Sequence, residues 1–170
     1  MRKTMLLLLG FALTAAIAVP ALGVGASDGR KVVDAKVLAP VVEPYTGAAN
    51  AIRGVAGGGL PWQLASGSAD LRAGGQLHIE VEGLVLAQRA PVPTNLQGTN
   101  PFSQFNAVVS CLTATNGTAA TANVVAGPFT ATASGDGELD TTVTLPSPCF
   151  APIIFVTAPS GSAWFAVTGR

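Results

Sequence analysis

Charge is what this chain has least of. Asp, Glu, Lys and Arg make up 11% of its 170 residues, where ordinary soluble domains carry about 25%. Its solvent-facing surface must therefore be built from Thr, Ser, Asn, Gln and Gly. The nine acids and nine bases balance, so there is no basic excess of the kind that binds nucleic acid or an anionic membrane. One histidine and two cysteines cannot supply the four ligands of a usual zinc site. The cysteines, Cys111 and Cys149, stand far apart, which excludes a Cys-x-x-Cys redox pair.

Other absences narrow the chemistry further. Gly57-Gly58-Gly59-Leu60-Pro61-Trp62 lacks the Gly-Lys-Ser/Thr ending of a phosphate-binding loop. No serine between residues 51 and 170 sits in a Gly-x-Ser-x-Gly elbow. His78 is the one conventional general base. No convincing amphipathic helix follows the amino-terminal region, and no cofactor is implied.

There is one long apolar run, from Thr4 to Val19, preceded by Arg2 and Lys3 and followed by Pro20 and small residues. This is the pattern of a secretory signal, with Val24-Gly25-Ala26 as the cleavage site. The rival reading is an uncleaved anchor, since no charge falls between Thr4 and Ala26 and the stretch is long enough to cross a bilayer at ~1.5 Å per residue. Pro20 and the Gly and Ala after it weaken the last turns of such a helix and suit an extended peptidase substrate. No cysteine follows closely enough for lipid attachment. The chain reads as secreted, periplasmic or cell-surface, with no transmembrane segment after processing. The short Ala-rich signal and the Gly- and Thr-rich remainder have a bacterial look, and Asn116-Gly117-Thr118 would be a glycosylation site only in a eukaryotic host.

Cleavage after Ala26 leaves enough chain for one domain with a single core. It removes Arg2 and Lys3, so seven bases face nine acids and the net charge is −2. In an exported chain an isolated cysteine pair forms an internal disulfide. Closing the Cys111–Cys149 loop contributes about 4 kcal/mol as an upper figure.

Residues 27 to 50 carry six charges, Pro40 and Pro44, and read as a tether or a single edge strand. From 51 to 170 the apolar residues alternate with period two between turn residues, predicting one all-β domain. The clearest strand is Gln76 to Leu86, where Leu77, Ile79 and Val81 oppose His78, Glu80 and Glu82. Phe105 to Thr113 is apolar on both faces and reads as a central strand. Further strands are predicted over 51–56, 62–69, 123–132, 138–145, 153–157 and 163–168. Pro146, Pro148 and Pro152 make residues 147 to 151 a rigid crossover, which the disulfide pins to the Phe105 strand. About eight strands give an antiparallel β-sandwich of Greek-key order, with a closed barrel as the alternative.

Three clusters are candidate sites. His78, Glu80 and Glu82 share a strand face and offer imidazole and carboxylate ligands to a divalent cation. Asp136, Glu138 and Asp140 repeat that spacing beside a Gly-rich turn and offer oxygen ligands to calcium. The loop from Gln88 to Gln104, with Asn95, Gln97 and Asn100, suits hydrogen bonding to a sugar or peptide, and Trp62 or Trp164 would stack on a sugar ring if exposed. Glu80 and Glu82, about 6 to 7 Å apart on one face, are a formal pair for glycoside hydrolysis. The solvated face of any half-buried strand also looks like these carboxylates.

The reading that follows is an exported, non-catalytic structural or binding module, extracellular or attached to the cell envelope, with a glycan or protein partner. The alternatives are a carbohydrate-recognising or hydrolysing module and a calcium-stabilised one. N-terminal sequencing and intact mass of exported protein are expected to give Ser27 as the first residue and no free thiol; a retained Met1 would favour the anchor, and two free thiols would overturn the disulfide.

Overall fold

The computed structural model describes residues 29 to 168; the signal, its cleavage site and residues 169 and 170 lie outside the described residues. Twelve strands form among them: β1 Lys31–Ala35, β2 Leu38–Pro40, β3 Ala56–Gly57, β4 Trp62–Gln63, β5 Ser66–Arg72, β6 Gln76–Glu82, β7 Val85–Leu86, β8 Gln104–Thr115, β9 Thr118–Thr130, β10 Gly137–Thr142, β11 Phe150–Thr157 and β12 Ala163–Thr168. A four-stranded antiparallel sheet has the order β1-β5-β6-β10. A larger sheet runs β2-β12-β11-β8-β9, with β3 lying parallel to β12 beside β2. β4 and β7 make a small separate ribbon. No sheet closes on itself, so the architecture is the sandwich and not the barrel.

The smaller sheet follows from alternation. Leu77, Ile79 and Val81 of β6 are buried together with Ala69 and Leu71 of β5 and Leu139 of β10, while Glu80 and Glu82 are exposed. One face therefore packs on the core and the other is wet. The larger sheet centres on β8, where seven consecutive residues, Phe105 to Cys111, are buried. Phe105, Ala107, Val109 and Cys111 take one face. There Trp62 stacks on Phe165 at 4.0 Å, and Phe105 meets Phe165 and Phe129 edge-on, both at 5.9 Å. Val108 and Ser110 take the other face, which the segment between β2 and β3 reaches at Ser110. Arg53 Nη1 donates to the Ser110 carbonyl at 2.8 Å, and Asn123 Nδ2 donates to the Arg53 carbonyl at 3.0 Å.

Gly57 is required by the close approach of that segment, since a Cβ there would lie 1.9 Å from the Tyr45 carbonyl oxygen. It leads the chain through the Gly57–Gly59 run, so that Trp62 folds back into the core. The disulfide forms between Cys111 of β8 and Cys149, just ahead of β11, at a sequence separation of 38.

Several strand boundaries differ from the sequence expectation. The tether segment carries two strands, one on an edge of each sheet, because Lys36 and Val37 let the chain pass from one layer to the other. The 62–69 strand breaks at Leu64 and Ala65, and the 76–86 strand breaks after Glu82, where Gly83 takes φ +63. β9 starts five residues before the expected Asn123. Asn116 and Gly117, at φ 51 and 77, close a two-residue hairpin directly onto β8, a turn that Asn-Gly favours strongly. Pro152 lies inside β11, yet only where the register slips between Phe150 and Ile153 and no ladder hydrogen bond is asked of it.

Replacing both cysteines, Cys111→Ser with Cys149→Ser, is expected to lower unfolding stability by up to about 4 kcal/mol in a denaturant titration. A midpoint shift near zero would mean that the sheets hold β8 without the crosslink.

Candidate functional site

Two candidate clusters that are 50 to 60 residues apart in sequence become one in the fold. β10 pairs with β6 so that Glu138 lies opposite Glu80 and Asp140 opposite His78. On the other side of β6, β5 places Ser68 opposite Glu80 and Asp70 opposite His78, and β1 sets Asp34 opposite Asp70. The wet face of the small sheet thus carries a row Asp34, Asp70, His78, Asp140 beside a row Ser68, Glu80, Glu138.

Within it, His78 Nδ1 lies 2.8 Å from Asp140 Oδ1, with the ring N–H donating to the carboxylate. Ligand atoms of His78, Glu138 and Asp140 all lie within 4.8 Å of one another. The side chains are open to solvent, His78 at 35% and Asp140 at 72%. Glu82 sits one row further on and accepts a hydrogen bond from Ser66 Oγ at 2.8 Å.

The charge on this face is graded. At the β1 side, Lys31 contacts Asp70 at 2.7 Å and Asp34 at 3.3 Å, and Lys36 contacts Asp34 at 2.7 Å. The Lys36 ammonium, helped by hydrogen bonding from the Asp70 side and by Lys31, holds the Asp34 carboxyl down at about 2. Lys31 is pushed up, chiefly by its bond to Asp70. Toward β10, Asp140 is paired with His78, and Arg72, which lines a hollow with both, donates to the Gly29 carbonyl; among the described residues Glu80, Glu82 and Glu138 make no salt bridge. Seven of the nine acids of the chain lie on this sheet or its entry turn, whereas the strands of the larger sheet carry no charged residue at all.

Asp136 stands apart from the cluster. Its carboxylate accepts from Ser134 Oγ at 2.7 Å, from the Gly83 N–H at 2.9 Å and from Thr132 Oγ1 at 3.2 Å. The Ser134 bond, then the Gly83 and Thr132 bonds, hold its pKa below the usual carboxylate range. Those oxygens tie the β9–β10 turn to the end of β6, and Asp136 is not in the group whose ligand atoms converge on His78. The sequence pattern that would have added Asp70 to the cluster is the alternation Ser66, Ser68, Asp70, Arg72 in β5.

The loop from Gln88 to Gln104 turns two of its amides, Gln97 and Asn100, onto its own backbone and that of Thr132. Asn100 Nδ2 donates to the carbonyls of Phe102 at 2.7 Å and Thr132 at 2.8 Å, while its Oδ1 accepts from the Phe102 N–H. Gln97 Nε2 donates to the Val92 carbonyl at 3.0 Å. Asn95 is exposed. Trp62 and Trp164 are 3% and 2% exposed, so the condition for stacking on a sugar is not met: both rings are filled in among Phe165, Phe102 and Phe155.

Fold and face together define a small disulfide-bonded antiparallel β-sandwich with one acidic sheet face. No protein-family model, curated protein or solved structure matches the chain.

The depressed carboxyls set an acid limb. Asp34 and Asp136 have folded pKa values below the unfolded 3.8, so their contribution is present above about pH 4 and is lost as pH falls toward 2. Tm is expected to drop across that window, and Asp136→Asn to lower Tm at neutral pH while flattening the drop. An acid limb unchanged in that variant would remove Asp136 from the account.

Proposed function

We propose that this chain is an exported, non-catalytic β-sandwich module that acts by surface contact in the extracellular space or at the cell envelope. The observation that carries this reading is the segregation of charge: nearly all the carboxylates gather on one open sheet face and none on the other sheet. An open face suits binding to an extended partner or a cation. It does not exclude water from a reacting bond, as the enclosed sites of hydrolases do. The buried Cys111–Cys149 bond suits an oxidising compartment. The glycan reading loses its stacking platform with the burial of both tryptophans, and of Asn95, Gln97 and Asn100 only Asn95 is exposed.

A second reading is favoured by the strand register alone. His78, Glu138 and Asp140, with Glu80 next to Glu138, present one nitrogen and several oxygens to a divalent cation. Such a cation would join β6 to β10 across the sheet and relieve the repulsion among unpaired carboxylates.

Melting of the processed protein is to be followed with Ca²⁺, with Zn²⁺, with chelator, and with oligosaccharides and cell-wall fragments, since any ligand that prefers the folded state raises Tm. For the cation reading, a rise with one metal is expected that disappears in Asp140→Asn and Glu138→Gln; identical curves with metal and with chelator would sink it. For the contact reading, no new reducing ends are expected from the oligosaccharides. Their release, abolished by Glu80→Gln or Glu82→Gln, would make the protein a hydrolase instead.

A further inference from the structure

A sheet edge is a row of unpaired N–H and C=O groups, and folded proteins blunt such edges with charge, proline, brevity or cover. Three of the four edges here are blunted. β1 is five residues long, has a register slip after Lys31 and carries Lys31 and Asp34. β10 carries Glu138 and Asp140, so a second β10 would bring carboxylates together. On the third edge, β2 has three residues and ends in Pro40, and β3 has two.

The fourth edge, β9, has none of these devices over most of its length. It runs for 13 residues without a charge and is paired only with β8 among the described residues. Proline enters only at Pro128, which leaves Thr118 to Ala126 as nine uninterrupted residues. Thr118, Ala119, Thr121, Asn123 and Val125 are exposed there. On the outer face of this sheet, which the β2–β3 segment reaches at Ser110 and Asn123, apolar side chains near this edge stay exposed: Val125 is 57% exposed, and on β8 and β11 the paired Leu112 and Phe150 are 42% and 62% exposed.

We propose that β9 pairs antiparallel with β9 of a second copy of this chain, about a two-fold axis near Ala122, the midpoint of the uninterrupted stretch. The two larger sheets then run on as one. Charge selects this occupant. The β6–β10 carboxylates of one copy repel those of another, whereas β9 meeting itself sets no like charges opposite one another. The pairing is self-complementary, as a two-fold interface requires. With Ala122 on the axis, Thr121 faces the partner's Asn123, whose Oδ1 can accept from the Thr121 hydroxyl while its Nδ2 keeps the Arg53 carbonyl. This inference goes beyond the contact reading and does not depend on whether the acidic face holds a cation.

The test is the molar mass of the processed protein by sedimentation or light scattering over a concentration series. The expected result is a monomer–dimer equilibrium. Thr121→Lys, an exposed position that leaves the core untouched, is expected to raise the dimer dissociation constant about tenfold or more without moving the monomer Tm, because two lysines are brought near the axis. Thr121→Glu is expected to do the same, and an equimolar mixture of the two variants to recover the dimer as a heterodimer. Gln76→Lys, on the wet face of the small sheet, is the control that leaves dimerisation unchanged. A monomer at every concentration, a dimer indifferent to both Thr121 variants, or no recovery in the mixture would each overturn the proposal.

Discussion

The burial of β8 on both faces is the constraint around which this protein is arranged. Seven consecutive residues from Phe105 to Cys111 are withdrawn from water, and a strand can be covered twice only if something packs on each side of its sheet. The small sheet supplies one cover through Leu71, Leu77, Ile79 and Val81, with Trp62 and Phe165 filling the layer between. The segment from β2 to β3 supplies the other, anchored by Arg53 on the Ser110 carbonyl. The disulfide attaches the crossover into β11 to the same strand. Each of these pieces would expose apolar surface without β8, and β8 would expose it without them.

That arrangement leaves few positions where a charge can stand. The strands of the larger sheet carry no charge and are covered on one face and in part on the other, so carboxylates are tolerated chiefly on the outer face of the small sheet, and seven of nine are found there or at its entry turn. Lys31 and Lys36 neutralise the β1 side, while the β6–β10 side keeps its excess. The acidic face and the uncharged β9 edge are thus two results of one distribution: the first repels a second copy, and the second offers it a place.

Much of the fold was legible because it rests on local alternation. Leu77, Ile79 and Val81 against His78, Glu80 and Glu82 gave a half-buried strand, and the unbroken apolar run in β8 gave a central one. The short strands were not legible: β2, β3, β4 and β7 have two or three residues each, too few for a period to show, and they exist because longer neighbours offer them partners. The early start of β9 is readable from Asn116-Gly117, a hairpin turn by its chemistry as well as part of a glycosylation pattern. In the candidate site, the residue types were readable and their grouping was not.

The sequence by itself determined the fold class, the disulfide partners and the strand faces on which the carboxylates lie, because side chains alternate along a strand whatever it pairs with. Only the tertiary structure decided which carboxylates meet. Strand register, fixed by burying Leu139 against the core and by the Asp136 turn, brought Asp140 to His78 and Glu138 to Glu80 across a gap of some 60 residues. It also engaged Asp136 in the bonds of its turn and Asn100 in backbone bonds, and closed the core over both tryptophans. Those outcomes depend on distances between segments remote in the chain, which no local pattern encodes.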